Sequence, residues 1–319
     1  MSAEGGGKAV IAALSANAGI AIAKFVGFLF TGSSSMLAEA VHSLADTSNQ
    51  GLLLLGRRTS KREATPEHPF GYGRERYFYG FVVALLLFSV GAIFAIYEGV
   101  EKILNPHPLE APLVAIIILF VAALMEGLSF RTAMKESRVT KGSVSWFAFI
   151  REAKSPDLPV VLLEDTGALI GLIFALLGVV LSVVTGNPVF DGIGTVCIGA
   201  LLGVFATVLI VETKSLLIGE GANPALLATI VGELERGRVD RVIHIRTQYL
   251  APDELLVAAK IALVADVPLD EVAQAIDDAE LRVRGKVPVA KLIYLEPDLD
   301  REQSRTPPGA EEGPVASQP

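Results

Sequence analysis

Six apolar stretches of about 20 residues fall within the first two thirds of this 319-residue chain, near 9–31, 35–56, 78–104, 111–133, 158–184 and 190–217. A helix of about 20 apolar residues crosses the hydrocarbon core of a bilayer. In lipid each span must satisfy its own backbone N–H and C=O groups, so runs without strand-like alternation can only be helices. The expected fold is therefore a multi-pass α-helical membrane protein with six transmembrane helices. The domain at 9–217 follows a short N-terminal segment, 1–8. The first apolar run is too long for a signal-peptide core, so it reads as a retained first span.

The loops between these runs set an orientation. The loop after span two carries Arg57, Arg58, Lys61, Arg62, Arg74 and Arg76, and the one after span four carries Arg131, Lys135, Arg138, Lys141, Arg151 and Lys154. The loops at 32–34, 105–110 and 185–189 have no Lys or Arg. By the positive-inside rule the basic loops and both termini are cytoplasmic. The expected location is a plasma (inner) membrane. A formal net charge of −8 gives no support to a nucleic-acid partner, and the single Cys197 rules out a disulfide within the chain and a Cys-rich zinc finger.

Beyond 218 the composition turns mixed and acidic. Residues 224–236 read as a helix with Pro224 in its first turn, 242–250 and 254–264 as strands, 269–284 as a second helix, and 287–295 as a third strand. The order αββαβ predicts a small cytoplasmic α+β domain over 218–298. From 299 onward Pro, Glu, Gln, Ser and Gly dominate, which predicts a disordered tail.

The chemistry lies in polar residues set inside the apolar runs. His42 and Asp46 stand one helical turn apart on one face of span two. An imidazole and a carboxylate so placed are ligands for a divalent transition metal. Ionisable groups at membrane depth are costly and mark function by default. Span five carries Glu164 and Asp165, two adjacent acids that a divalent cation shared with span two would neutralise. The predicted metal set is His42, Asp46 and Asp165 with a fourth donor from Glu164, Asn17, Asn49 or water. Zn²⁺, Mn²⁺, Fe²⁺ and Co²⁺ all suit such donors. Asn17, Asn49, His68 and Glu126 are accessory or pathway candidates; helix–helix hydrogen bonding and loop packing account for these residue types equally. Metal and protons compete for the same ligands, which makes antiport a natural mechanism.

Three segments together carry a family resemblance. They are Gly32-Ser33 followed by Ala38-Glu39-Ala40-Val41-His42-Ser43-Leu44-Ala45-Asp46, then His68-Pro69-Phe70-Gly71-Tyr72-Gly73-Arg74-Glu75-Arg76-Tyr77, then Glu164-Asp165. In these the chain resembles the cation diffusion facilitator family over about 9–298. The resemblance implies export of Zn²⁺ or a related ion from the cytoplasm in exchange for protons, by alternating access. It also implies a ferredoxin-like cytoplasmic domain, a homodimer, and no prosthetic group. The family pairs two ligands four apart on span two with two ligands four apart on span five. His42 and Asp46 match, as does Asp165, but Val161 stands where the fourth would be. A membrane-embedded metal-dependent enzyme is a poor alternative, because the chain has no HExxH pair, nucleophile motif or Gly-rich phosphate loop. An Fe²⁺, Mn²⁺ or Co²⁺ exporter of the same architecture is the closer one.

Overall fold

The computed structural model describes residues 4–109, 111–141, 145–146, 149–150, 153–154, 157–264 and 268–298, with side chains from Ala18 onward except at 129, 132, 133, 136, 139, 140, 157 and 158. The expected disordered tail at 299–319 lies outside the described residues. Contacts divide the chain after Ile218 into a helical unit and a smaller unit beginning at Gly219.

The helical unit contains α1 (Glu4–Thr31), α2 (Ser34–Thr59), α3 (Glu75–Leu104), α4 (Pro112–Lys141), α5 (Asp157–Thr185) and α6 (Val189–Ile218). Each contains one of the expected spans. Among the described residues, Glu75–Leu104, Pro159–Thr185 and Val189–Ile218 are long and apolar enough to cross a membrane. Counted over described side chains alone, α1 and α4 contribute the apolar stretches Ala18–Thr31 and Pro112–Leu128, and α2 is interrupted by its polar face. The distribution of side chains is inverted relative to a water-soluble bundle. Ile22, Leu29, Phe30, Leu113, Ile117, Leu124 and Leu128 face outward, while Lys24, Glu39, His42, Asp46, Glu126, Glu164 and Asp165 are buried. Lipid on the outside removes any cost of exposing the apolar set, so packing inside can be spent on small and polar residues.

The α1–α2 connection is a two-residue turn. Gly32 takes φ +63, which a side chain would disfavour, and Ser33 caps α2 by accepting a hydrogen bond from Met36 N at 3.3 Å. Helix α3 contains a π-helical segment, Leu87–Ile93. Beyond it α3 and α6 pack backbone to backbone: a β-carbon on Gly99 would lie 2.7 Å from Val196 N, and one on Gly192 2.9 Å from Gly99 O.

The second unit has α7 (Pro224–Leu234), β1 (Val239–Ala251), β2 (Glu254–Leu263), α8 (Leu269–Lys286) and β3 (Leu292–Asp298). The αββαβ order is as expected. The sheet order is β1-β2-β3, with β1 antiparallel and β3 parallel to β2. Ile230, Leu234, Leu255, Val257, Ile261, Ala279, Val283 and Ile293 form its core. Several boundaries differ from the sequence reading: β1 opens at Val239 rather than 242, α8 runs on to Lys286 and β3 to Asp298, and two further differences have a visible cause. Helix α7 stops at Leu234, where Arg236 N turns back to Leu234 O and Gly237 takes φ +69. The third strand begins at Leu292 rather than 287. Pro288 has no N–H for a ladder, and Ala290 N bonds Val287 O, closing a turn that buries both residues before β3 starts.

Candidate metal-transport site

Helix α2 organises the polar interior. Its positions 39, 42, 43, 46 and 49 recur at helical spacing and are all buried, so one stripe faces the other helices. His42 Nε2 lies 3.5 Å from Asp46 Oδ2, with the imidazole 1% exposed. Neither ring nitrogen of His42 has a hydrogen-bond partner, nor does Asp46 Oδ1 or Asn49 Oδ1. A buried donor or acceptor left unpaired costs about 1–3 kcal/mol. Four such atoms on two turns of one helix are therefore an arrangement that stability alone does not explain.

Helix α5 supplies the facing acids. Glu164 and Asp165 are both buried, and Glu164 Oε1 accepts a hydrogen bond from Asn49 Nδ2 at 2.7 Å. That bond ties α5 to α2 one turn beyond Asp46. Glu164, Glu126, Lys24 and Asp165 all interact electrostatically with Asp46, so α1, α4 and α5 direct charge toward the same carboxylate. Val161, four residues before Asp165, packs against the apolar core. Among the described residues no three His, Cys, Asp or Glu side chains stand close enough together to hold an ion. The candidates converge from two helices without closing into a set.

The remaining candidates separate clearly. Glu126 is buried on α4 and interacts with Glu39 and Asp46. His68 is exposed in the loop after α2, where its ring meets Tyr72 edge-on at 4.6 Å and its backbone closes a turn with Thr65. The side chain of Asn17 lies outside the described residues.

Two pairings escaped the sequence reading, which placed Lys24 only as a span-one residue lining the pathway or snorkelling. Lys24 on α1 is wholly buried; its Nζ lies 3.1 Å from Glu39 Oε2 and donates to Ser43 Oγ at 2.7 Å. The signal was Glu39 falling one turn before His42 on the same face. The second is a knot at the start of α2. The Asp191 carboxylate accepts from Ser33 Oγ (3.0 Å), Ser34 N (2.9 Å) and Ser34 Oγ (3.2 Å). Ser35 Oγ donates to Asp191 O at 2.9 Å. Here the run of three serines after Gly32 was the available signal.

Comparison with known proteins identifies the family. The family model for the cation efflux transmembrane domain matches residues 10–218. The chain is similar to the human proton-coupled zinc antiporter SLC30A9, mitochondrial, at 36% identity over 243 residues, covering 76% of this chain and 43% of that protein. It is also similar to metal tolerance protein C4 of Arabidopsis thaliana, at 30% identity over 259 residues, covering 80% of this chain and 56% of that protein. The chain thus spans less than half the length of the first of these relatives. Among solved structures, a nickel form of the MamM C-terminal domain matches 25% of this chain and 100% of its own, at 19% identity and a TM-score of 0.24. On the match to its transmembrane domain, the chain belongs to the cation diffusion facilitator family of cation efflux transporters, not to a family of enzymes.

Proposed function

We propose that the protein exports a divalent transition metal from the cytoplasm by exchange with protons, with Zn²⁺ as the principal ion. The observation that carries this reading is that both ring nitrogens of His42 and Oδ1 of Asp46 on α2 lack hydrogen bonds while buried together with Glu164 and Asp165 on α5. His42, Asp46 and Asp165 are the metal ligands in this reading. The fourth donor is Asn49 Oδ1, which lies one turn beyond Asp46 on the same stripe and has no hydrogen bond of its own. Glu164 then acts by fixing the Asn49 amide. A carboxamide oxygen in place of a second span-five ligand answers the substitution at Val161.

Ligands split between two helices suit an ion that must be picked up and given away. A relative motion of α2 and α5 completes the set on one side and opens it toward the other. Protonation of the imidazole and carboxylates competes with the metal, so a proton gradient drives release. The choice of zinc is supported by the similarity to the human proton-coupled zinc antiporter. The basic loops support an orientation with both termini cytoplasmic, and a plasma (inner) membrane location belongs to the same proposal. The homodimer implied by the resemblance belongs to the same proposal.

The test is metal flux into proteoliposomes with an imposed pH gradient, comparing Zn²⁺, Fe²⁺, Mn²⁺ and Co²⁺. Zinc is expected to move fastest, and Asp46→Ala and Asp165→Ala to abolish flux in protein that remains folded. Native rates in those two variants would overturn the site. Flux indifferent to the gradient would overturn antiport, and faster Fe²⁺, Mn²⁺ or Co²⁺ transport would overturn the assignment of zinc.

A further inference from the structure

Lys24 and Glu39 form an ion pair in which both side chains are 0% exposed. Such a pair gives weak support to stability, because two desolvated charges repay little more than their desolvation penalty. Small or apolar residues would join α1 to α2 as well. Nor does the lysine follow the usual course of a membrane lysine, extending its stem toward the headgroups. Its ammonium instead turns into the bundle, spanning Glu39 Oε2 and Ser43 Oγ at 3.1 and 2.7 Å.

The surroundings are built for this seat. Glu39, His42, Ser43 and Asp46 follow one another at i, i+3, i+4 and i+7, so the ammonium lies on the same stripe as the proposed ligands. Gly171 of α5 makes the space for the carboxylate: a β-carbon there would lie 2.7 Å from Glu39 Oε1. That oxygen has no hydrogen bond. The charge of Lys24 is felt at His42, Asp46 and Glu126 as well as at Glu39. In a low-dielectric interior a fixed unit charge acts over more than one turn.

We infer that Lys24 is a tethered cation that sets the affinity of the transport site, its ammonium held by Glu39 and Ser43 so that it opposes a divalent ion at Asp46 and speeds that ion's release. Glu39 tempers the effect by balancing part of the charge. Lys24 is thus a positioning residue for charge rather than a ligand. The inference rests on the reading of His42 and Asp46 as transport ligands.

Opposing charge changes test it in the full-length protein, with zinc as the transported ion. Lys24→Gln removes the opposing charge, so the KM for zinc falls about tenfold and kcat falls with it as release slows. Glu39→Gln leaves the ammonium unbalanced, so KM rises about tenfold. A helix brace alone predicts less folded protein in both variants and no opposed movement of KM. Shifts in the same direction, or values within about twofold of native in monodisperse protein, overturn the inference. If Lys24→Gln does not fold, Glu39→Gln decides alone: a raised KM supports the role of Lys24, and an unchanged or lowered one refutes it. Native protein that carries none of the four metals refutes the transport reading itself, whereas native flux with unmoved KM values refutes only this inference.

Discussion

Replacement of Asp191 by alanine tests whether the start of α2 is held by one carboxylate. Asp191 sits in the first turn of α6 and is fully buried, and its side chain serves as acceptor for the first N–H of α2 and for two serine hydroxyls. Two helix N-termini therefore converge on one negative charge, which the macrodipole of each favours. Hydrogen bonds to a charged group contribute about 1.5–3 kcal/mol each, and a buried donor left without an acceptor costs about 1–3 kcal/mol. The hydroxyls of Ser33 and Ser34 can rotate toward other acceptors, but Ser34 N cannot, so three bonds do not add in full. The expected loss for Asp191→Ala is about 3–5 kcal/mol. At about 2–4 °C per kcal/mol for a unit of this size, the melting temperature falls by about 10 °C. Asp191→Asn keeps one acceptor oxygen and loses about half as much, while Ser33→Ala loses about 1 kcal/mol. The assay is thermal unfolding of purified protein in detergent, followed by loss of the monodisperse gel-filtration peak. Because Asp191 is not a proposed ligand, the order of preference among transported metals stays as in the native protein. An Asp191→Ala variant that melts within about 2 °C of native refutes the reasoning, since no relaxation of the two hydroxyls supplies an acceptor for the helix N–H.

The remaining predictions concern the fourth donor and the second unit. Asn49→Ala removes the proposed oxygen ligand and raises the KM for zinc about tenfold, whereas Glu164→Gln keeps an oxygen to accept the Asn49 amide and changes KM less than threefold. Equal effects in the zinc-uptake assay would make the Glu164 carboxylate a ligand and Asn49 its support. In the α+β unit, hydrogen bonds from Lys260 to Asp298 and then Glu296 hold the ammonium above its ordinary value of 10.5. The contribution is fully present below that ordinary lysine value and is lost as pH rises through the higher folded-state value. Lys260→Met is expected to melt slightly below native at pH 8, with the gap closing in strongly alkaline buffer. A gap that widens with pH would show that the two acids do not stabilise the charged amine.

Much of this was legible from residue order because helix periodicity and lipid constrain the same stretches. Length and apolarity locate all six long helices, and a spacing of four puts His42 and Asp46 on one face of α2. Punctuation residues located the α+β elements as well. The errors came where a local pattern competed with a specific bond. Val287 and Val289 looked strand-like, but Pro288 and the Ala290–Val287 turn delay β3 to Leu292. What stayed hidden depends on how helices rotate against one another. Lys24 meets Glu39 from 15 positions away, and Asp191 meets Ser34 from 157 away. Neither pairing has a periodicity to announce it. Glu164 shows the same limit: its sequence neighbour Asp165 suggested a shared role, whereas its carboxylate is engaged by Asn49.

The balance of buried charge joins these pieces into one argument about why the interior is polar at all. Among the described residues, the helical unit buries six acids, Glu39, Asp46, Glu126, Glu164, Asp165 and Asp191, against two lysines, Lys24 and Lys102. Asp191 is satisfied by hydroxyls and a helix N-terminus, and Lys102 donates to Gly32 O at 3.3 Å. Lys24 is engaged by Glu39. Among the buried described residues the acids around Asp46 thus outnumber the lysines, in a medium that does not solvate carboxylates. A bundle selected only for stability would replace them with apolar side chains of similar volume. Their retention makes sense if the missing positive charge is delivered by something that comes and goes. A divalent ion and protons are the two carriers that fit carboxylates and an imidazole, and Lys24, seated between Glu39 and Ser43, is the resident cation inferred to set how tightly the first of them is held.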